Sequence, residues 1–311
     1  RNKKKKYRAF GCAQIWPRTT QKAPEKVRKF DRKQSEIWRR VLDFKDIFAT
    51  LSKFYKKGCQ MNPSEFIWMD GKLVKWEDAK IHVLAHSLHY ANAVFEGTRA
   101  YMTDKGLAIF RLSDHTARLL KSAKMTILNV KYTQKELEDA QVELLRANKF
   151  KSNVYLRPIV YLGYGVMGLT HTKAPVNTAI AAWEWGAYLG EEGLTKGIKV
   201  KISSFAKLNV GGQMSRAKSS SNYLCSQMAN YEAGYDEALL LDSEGYISEG
   251  SGECFFIVEN GALITPPNDS SLASITQDTV IKIAHDLGIE VRRERITRDR
   301  AYVADEAFFT G

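Results

Sequence analysis

Cysteine is scarce in this chain of 311 residues: Cys12, Cys59, Cys225 and Cys254 stand too far apart for a disulfide framework or a Cys-x-x-Cys metal site. Long apolar runs are missing as well. Nothing approaches eighteen uninterrupted apolar residues, which excludes a helical membrane span on sequence grounds. The apolar stretch of a secretory signal is absent near the start, so the protein is expected to be soluble and cytoplasmic. Acidic residues are short at one end only. Residues 1–60 hold 19 Lys and Arg against 5 Asp and Glu, whereas residues 61–311 hold 28 against 30. The net charge of +12 therefore resides in the first sixty residues, and no nucleic-acid partner is expected for the rest.

That basic segment contains Lys3, Lys4, Lys5 and Lys6 in a row. Further on, Ile37, Val41, Phe44, Phe48, Leu51 and Tyr55 recur at spacings of four and three, the stripe of an amphipathic helix with Ser35 as its N-cap. Composition changes abruptly at Met61, so residues 1–60 are read as a basic extension outside the fold.

Local signals organise the remainder. Asp70-Gly71 between Phe66–Met69 and Lys72–Val74 predicts a hairpin with a type I′ turn. An extended region is expected over 81–101, then a strand over 107–112. Ser113 is expected to cap the next helix, which turns Leu119, Leu120, Ala123 and Met125 inward. Thr133 begins a second helix over 134–148, and Val154–Leu162 reads as a strand. The glycine-rich run from Trp185 to Gly193 suggests a linker, placed at 184–197, between domains at 61–183 and 198–311. The later domain should hold a strand over 198–203 and a helix over 222–233 stopped by Gly234. Four short strands follow, at 238–241, 246–247, 254–258 and 262–265, then a helix over 276–287 stopped by Gly288. Without regular βαβ alternation, the class is α+β.

Four features carry potential chemistry. His82, His86 and His89 would share a face of a helix as metal ligands, but the apolar residues around them favour an extended segment, and no metal is expected. Lys218 sits among small residues, from Ser215 and Ala217 to Ser221, which leave room around its amine for a bulky planar partner. Glu249 and Glu253 stand near Gly250 and Gly252 in a turn between apolar strands, where a carboxylate can pair with a cationic ring nitrogen. Arg157 shares a strand face with Tyr155 and Tyr161, and needs an anion from the protein or from a substrate. A lysine nucleophile, an isolated carboxylate and anion-binding arginines are the equipment of a pyridoxal phosphate enzyme.

Longer runs point the same way. They include Trp76-Glu77-Asp78-Ala79-Lys80, His89-Tyr90, Val94-Phe95-Glu96-Gly97-Thr98-Arg99, Tyr155-Leu156-Arg157-Pro158 and Trp185-Gly186-Ala187-Tyr188-Leu189-Gly190. Ala217-Lys218, Asn222-Tyr223, Gly245-Tyr246-Ile247-Ser248-Glu249-Gly250 and Ile275-Thr276 continue them. On these residues the chain, from about residue 64 onward, resembles the branched-chain-amino-acid aminotransferases of fold type IV. The resemblance implies a small α+β domain, a larger β-barrel-like cofactor domain and a homodimer or assembly of dimers. It implies pyridoxal 5′-phosphate bonded to Lys218, which also shuttles the proton. Glu249 would bind the ring nitrogen and Tyr223 the phenolic oxygen. Arg118, the Gly252 turn and the amides of Ile275 and Thr276 would hold the phosphate. Phe95 and Gly97 would line the side-chain pocket, and Arg157 with Tyr90, Tyr155 and Tyr188 would receive the distal carboxylate of glutamate.

Ser220, Ser221 and Ser274 stand where similar enzymes commonly have glycine, a small change unless the backbone needs positive φ. Similar enzymes also continue past Phe308-Phe309-Thr310-Gly311, so the chain as written is expected to be incomplete in its large domain and weakly active. Two alternatives stay open: a D-amino-acid aminotransferase or aminodeoxychorismate lyase of the same fold type, and an inactive transferase core whose basic tail binds nucleic acid or membrane.

Overall fold

Two adjacent residues of positive φ, Asp70 at 45° and Gly71 at 91°, make the type I′ turn that the sequence predicts. They join strands β1 (Phe66–Met69) and β2 (Lys72–Lys75) in register, with Met69 opposite Lys72. The computed structural model describes residues 62–186, 193 and 196–311. The basic extension, most of the expected linker and Tyr188 lie outside the described residues.

The next segment departs from expectation. Instead of a continuous extended run, residues His86–Tyr90 form a short helix, α1, ended by Ala91 at φ 55°. Its histidines are engaged by backbone: Nε2 of His86 is 2.8 Å from the Gly168 carbonyl, and Nε2 of His89 is 2.9 Å from that of Val83. Strands β3 (Ala93–Phe95), β4 (Thr98–Thr103) and β5 (Gly106–Ile109) follow.

Helix α2 (Leu112–Met125) starts from Arg111, not Ser113. Arg111 takes a left-handed conformation at φ 49°, while its side chain is anchored on Asp114 and on a distant helix. Ser113 lies inside the first turn, where its hydroxyl accepts from Gln134 at 2.8 Å. Helix α3 (Gln134–Asn148) has the boundaries expected, because Thr133 and Glu136 form a reciprocal capping box.

Strands β6 (Val154–Leu162) and β7 (Val176–Glu184) complete the first sheet, in the order β2-β1-β7-β6-β4-β5, with β3 also on β6. Sequence reading missed β7, which pairs with β6 at nine successive positions from Val154–Glu184 to Leu162–Val176. On its other side β6 meets two strands in turn. β3 covers Ile159–Tyr161 and β4 covers Val154–Leu156, so the ladder is interrupted opposite Arg157 and Pro158. Proline has no N–H for a ladder. Glu96 and Gly97 occupy that interruption. Helices α2 and α3 lie on this sheet and bury Leu119, Leu137 and Leu144 with Leu156, Val160 and Ile180.

The second half is built on β8 (Val200–Ala206), helix α4 (Tyr223–Ala233), β9 (Glu237–Leu241) and β10 (Ile247–Gly250). Strands β11 (Cys254–Glu259) and β12 (Ala262–Thr265), helix α5 (Ile275–Asp286), β13 (Val291–Arg293), helix α6 (Arg298–Val303) and β14 (Glu306–Thr310) complete it. Two sheets result, β10-β9-β8 and β13-β12-β11-β14. They share a core of Leu239, Ile247, Phe255, Ile257, Ile264 and Ile296. One expectation shifts here with consequence: Glu249 belongs to strand β10 and not to the following turn, because β10 runs to Gly250 along β9.

Thr133→Ala, which removes one half of the capping box of α3, is expected to cost about 1 kcal/mol in urea denaturation.

Candidate active site

Lys218 is fixed by its backbone before its side chain is considered. Its N–H donates to Ser122 Oγ of α2 at 3.0 Å, and its carbonyl accepts from the Phe95 N–H at 3.0 Å. Ser219 forms a β-bridge to Val94, and its hydroxyl donates to the Ala93 carbonyl. The loop before α4 is thereby stitched to β3 and α2. From there the Lys218 amine donates to the Tyr223 hydroxyl at 3.1 Å, with the Phe95 ring centroid 5.4 Å away.

Charged residues flank the anchor points of Lys218 on β3 and α2. Glu96, fully buried in the interrupted ladder, accepts two hydrogen bonds from Arg118, from Nε at 2.6 Å and Nη2 at 2.8 Å. His115 Nδ1 lies 2.8 Å from the same carboxylate. Burial alone would raise the pKa of Glu96, but the bonds to Arg118 and His115 and the charges of Arg118 and Lys218 outweigh it, leaving it at about 2. Arg118 Nη1 also donates to the Ala273 carbonyl at 2.9 Å, one residue before the Ser274 cap of α5. These contacts use three of its five N–H groups and leave one on each terminal nitrogen. Arg111 strengthens the junction, with Nη1 2.6 Å from Asp278 and 3.0 Å from the Ile275 carbonyl.

Glu249 forms the opposite pole. Its Oε2 accepts from the Leu272 N–H at 3.2 Å, and its Oε1 lies 2.6 Å from Lys207 Nζ. Cys254 is buried beside the same segment, its thiol 3.8 Å from the Leu272 carbonyl. Burial first, and then the charge of Glu249, push its pKa up to about 12, against a bond to Ser274 and the positive charges of Arg118 and Lys218. Glu249 and Arg118 thus bond to adjacent backbone positions, Leu272 and Ala273.

A second group adjoins Lys218 through Phe95. The Arg157 guanidinium lies 4.6 Å from the Phe95 ring centroid and 5.2 Å from that of Tyr155, and its Nη2 donates to the Tyr155 hydroxyl at 3.0 Å. Its Nε is buried without a hydrogen-bond partner, so the arginine retains capacity for an anion. Gly97 makes room for the tyrosine: a Cβ there would lie 2.0 Å from the Tyr155 oxygen. Trp185 packs its ring against Tyr155 at 4.8 Å.

Phe95, Gly97, Tyr155, Arg157, Lys218 and Tyr223 thus form one continuous group of contacts. Glu249 bonds to Leu272 and Arg118 to Ala273, the residues that lead into Ser274, Ile275 and Thr276 at the start of α5. Gly252 lies in the open turn after β10, with nothing within 4 Å of a Cβ placed there. Tyr90 stands apart from the group, at the end of α1, with its ring against His86 at 4.5 Å. Sequence reasoning missed Glu96, Ser122 and Lys207. Glu96 did carry a signal, since an acid beside the apolar run Ala93–Phe95 demands a cation.

The family model for class IV aminotransferases matches residues 93–311. The chain belongs to that family, and it is a transaminase with the mixed α+β fold of type IV. It is 48% identical over 248 residues to a branched-chain-amino-acid aminotransferase of Pseudomonas aeruginosa, covering 79% of this chain and 80% of that one. Among solved structures, a branched-chain aminotransferase of Thermoproteus uzoniensis with norvaline superposes with a TM-score of 0.77 at 46% identity, covering 80% of this chain and 84% of that one. The holo form of a branched-chain amino acid aminotransferase from Thermobaculum terrenum, with its PLP, gives 0.74 at 35%, covering 81% and 83%. The reaction is accordingly the transamination of branched-chain amino acids, and neither alternative left open by the sequence is supported.

Because the pKa of Glu96 is depressed in the fold, its contribution is present above its ordinary value of 4.5 and lost as pH falls towards about 2. Glu96→Gln is expected to destabilise the protein at neutral pH and to flatten the stability curve between those values. Urea titrations at a series of pH values measure both effects.

Proposed function

We propose that this protein transfers the amino group between branched-chain L-amino acids (leucine, isoleucine and valine) and 2-oxoglutarate, using pyridoxal 5′-phosphate. One observation carries the reading: Lys218, its backbone anchored on α2 and β3, places its amine on the Tyr223 hydroxyl, while Arg118 of α2 bonds to Ala273 at the entry to α5 and Glu249 bonds to the adjacent Leu272. These groups match the cofactor's functional groups one for one. The amine answers an aldehyde, Tyr223 a phenolic oxygen, Glu249 a basic ring nitrogen, and Arg118 with the amides of Ile275 and Thr276 a phosphate. Gly252 leaves the turn beside Glu249 open for close approach. When bound, the cofactor supplies an electron sink for the pair released as the substrate Cα–H bond breaks.

The protein's residues supply the rest. Lys218 Nζ would take the proton from the substrate Cα and deliver it to the carbon on the other side of the amino nitrogen, and its clamped backbone keeps that amine in place. Tyr223 orients the amine by hydrogen bonding. Glu249 holds the proton of the ring nitrogen. Arg118, itself oriented by Glu96, neutralises the phosphate. On the substrate side, Phe95 offers an apolar surface and Arg157 an uncommitted N–H beside it. That adjacency suits one site to both an aliphatic chain and the distal carboxylate of glutamate, with Tyr155 bonded to Arg157 at that end; Tyr90 and Tyr188 are assigned to it on the family resemblance alone. In this reading the core around Leu119 and Leu156 belongs to a small domain and the core around Ile247 and Ile257 to a large one, and the assembly is a homodimer. No helix among the described residues is long and apolar enough to cross a membrane, and we assign the enzyme to the cytoplasm.

Lys218→Ala should abolish the visible absorbance band that pyridoxal phosphate acquires on bonding to a lysine, together with its bleaching by leucine. A full band in that variant would refute the assignment. Arg157→Leu is expected to lower kcat/KM for glutamate roughly 100-fold while leaving the leucine half-reaction within a few-fold, because only glutamate presents a second carboxylate to be paired.

A further inference from the structure

Lys207 is a buried charge that the mechanism above does not use. It follows the last residue of β8 and is 7% exposed, and its Nζ lies 2.6 Å from Oε1 of Glu249, whose side chain is 12% exposed. Burying two opposite charges costs solvation that their attraction only partly returns, so a contribution to folding does not by itself account for the pair.

Its placement is built into the sheet. In the order β10-β9-β8, strand β9 separates the two residues. Both outer strands slip their register against β9, β8 between Ile202 and Ala206 and β10 between Ile247 and Glu249. The slip in β8 is pinned by Glu232 of α4, which accepts from the Ser203 hydroxyl and, at 2.8 Å, from the Ser204 N–H. Just beyond it, the Lys207 N–H donates to the Leu241 carbonyl at 2.8 Å. The two irregularities let the ammonium and the carboxylate meet across the middle strand.

We infer that Lys207 is a positioning residue for Glu249: it keeps that carboxylate ionised and aimed, so that the proton it shares with the ring nitrogen of pyridoxal phosphate stays on nitrogen. This rests on the cofactor reading above. Without Lys207, the carboxylate and the ring N–H would face each other in a poorly solvated site. There the N–H bond breaks and an O–H bond forms on Glu249, one proton moving with no change in total charge. An ammonium in contact with the carboxylate opposes that transfer. It stabilises the nearby anion more than it repels a ring cation beyond it, since the Coulomb interaction falls with distance. Among the described residues Lys207 is the cation paired with Glu249, and neither Lys218 nor Arg118 forms an ion pair with it. The cationic ring withdraws electrons better than the neutral one, so Lys207 would act on the rate through Glu249 without touching the cofactor.

The test uses cofactor labelled with nitrogen-15 in its ring, whose NMR shift separates protonated from neutral nitrogen, on the wild-type chain and on Lys207→Gln, Lys207→Met and Lys207→Arg. Wild type and Lys207→Arg should show protonated nitrogen. Lys207→Gln, which keeps a donor but loses the charge, should show neutral nitrogen and bind the cofactor roughly 10–100-fold more weakly, the scale on which groups that orient a ligand-holding side chain act. Lys207→Met should do the same. A protonated ring in both neutral variants overturns the inference. So does unfolding of both neutral variants while Lys207→Arg folds, which would make the pair structural. Folded neutral variants that bind no cofactor, with binding regained in Lys207→Arg, support it. If the wild-type chain itself binds no cofactor at Lys218, the functional reading fails and takes this inference with it. A lysine-bound signal in wild type with an unmoved ring nitrogen in the variants defeats the inference alone.

Discussion

The pairing of Glu96 with Arg118 is the constraint on which the site depends. A carboxylate at no measurable exposure is tolerated only with a charged, hydrogen-bonded partner. Arg118 provides it in bidentate form, and the same guanidinium bonds to the Ala273 carbonyl at the entry to α5. One ion pair therefore ties the interrupted strand between β3 and β4 to helix α2 and to the N-terminus of α5. Breaking it would strand a charge and release the helix end together. The interruption is itself a consequence of composition. Pro158 lies opposite the gap in the ladder, and Glu96 and Gly97 occupy the space it leaves.

Gly97 and Glu96 then serve opposite sides of the same gap. Gly97 lets the Tyr155 hydroxyl come closer than any side chain would allow, and that hydroxyl receives Arg157. Glu96 faces the cation that the proposed phosphate site requires. A short irregularity in one strand so contributes to both ends of a ligand. The second half of the chain uses the same device, where slipped registers on either side of β9 bring Lys207 to Glu249. In both halves the residues of the proposed site sit where regular pairing fails, because a regular ladder fixes alternate side chains to its two faces and cannot turn one out of sequence.

Much of the scaffold was legible because its signals are local. Asp70-Gly71 has the φ preference of a type I′ turn, Thr133 and Glu136 are three residues apart, and Gly234 and Gly288 adopt the positive φ expected of helix stops. Ser113 misled for an equally physical reason. Its capping potential was real, but Arg111 was anchored by Asp114 and Asp278, and the helix began from the anchored residue. The glycines around Glu249 suggest a turn, yet the residue lies in β10. Only pairing with β9 shows that the strand runs on to Gly250. β7 went unread, although it is the strand that pairs with β6 along its whole length.

Residue pattern alone pointed to the α+β class and to Arg157 on one strand face with Tyr155, which follow from element order and from alternation within a few residues. The roles expected of Lys218 and Glu249 rested on the longer runs shared with a known family. Tertiary structure decided which charges meet. Arg118 is bound to Glu96, Lys207 to Glu249, and Arg111 to an aspartate 167 residues further on. Such choices are not encoded locally, since a buried charge accepts whichever opposite charge the packed strands and helices deliver within hydrogen-bond reach.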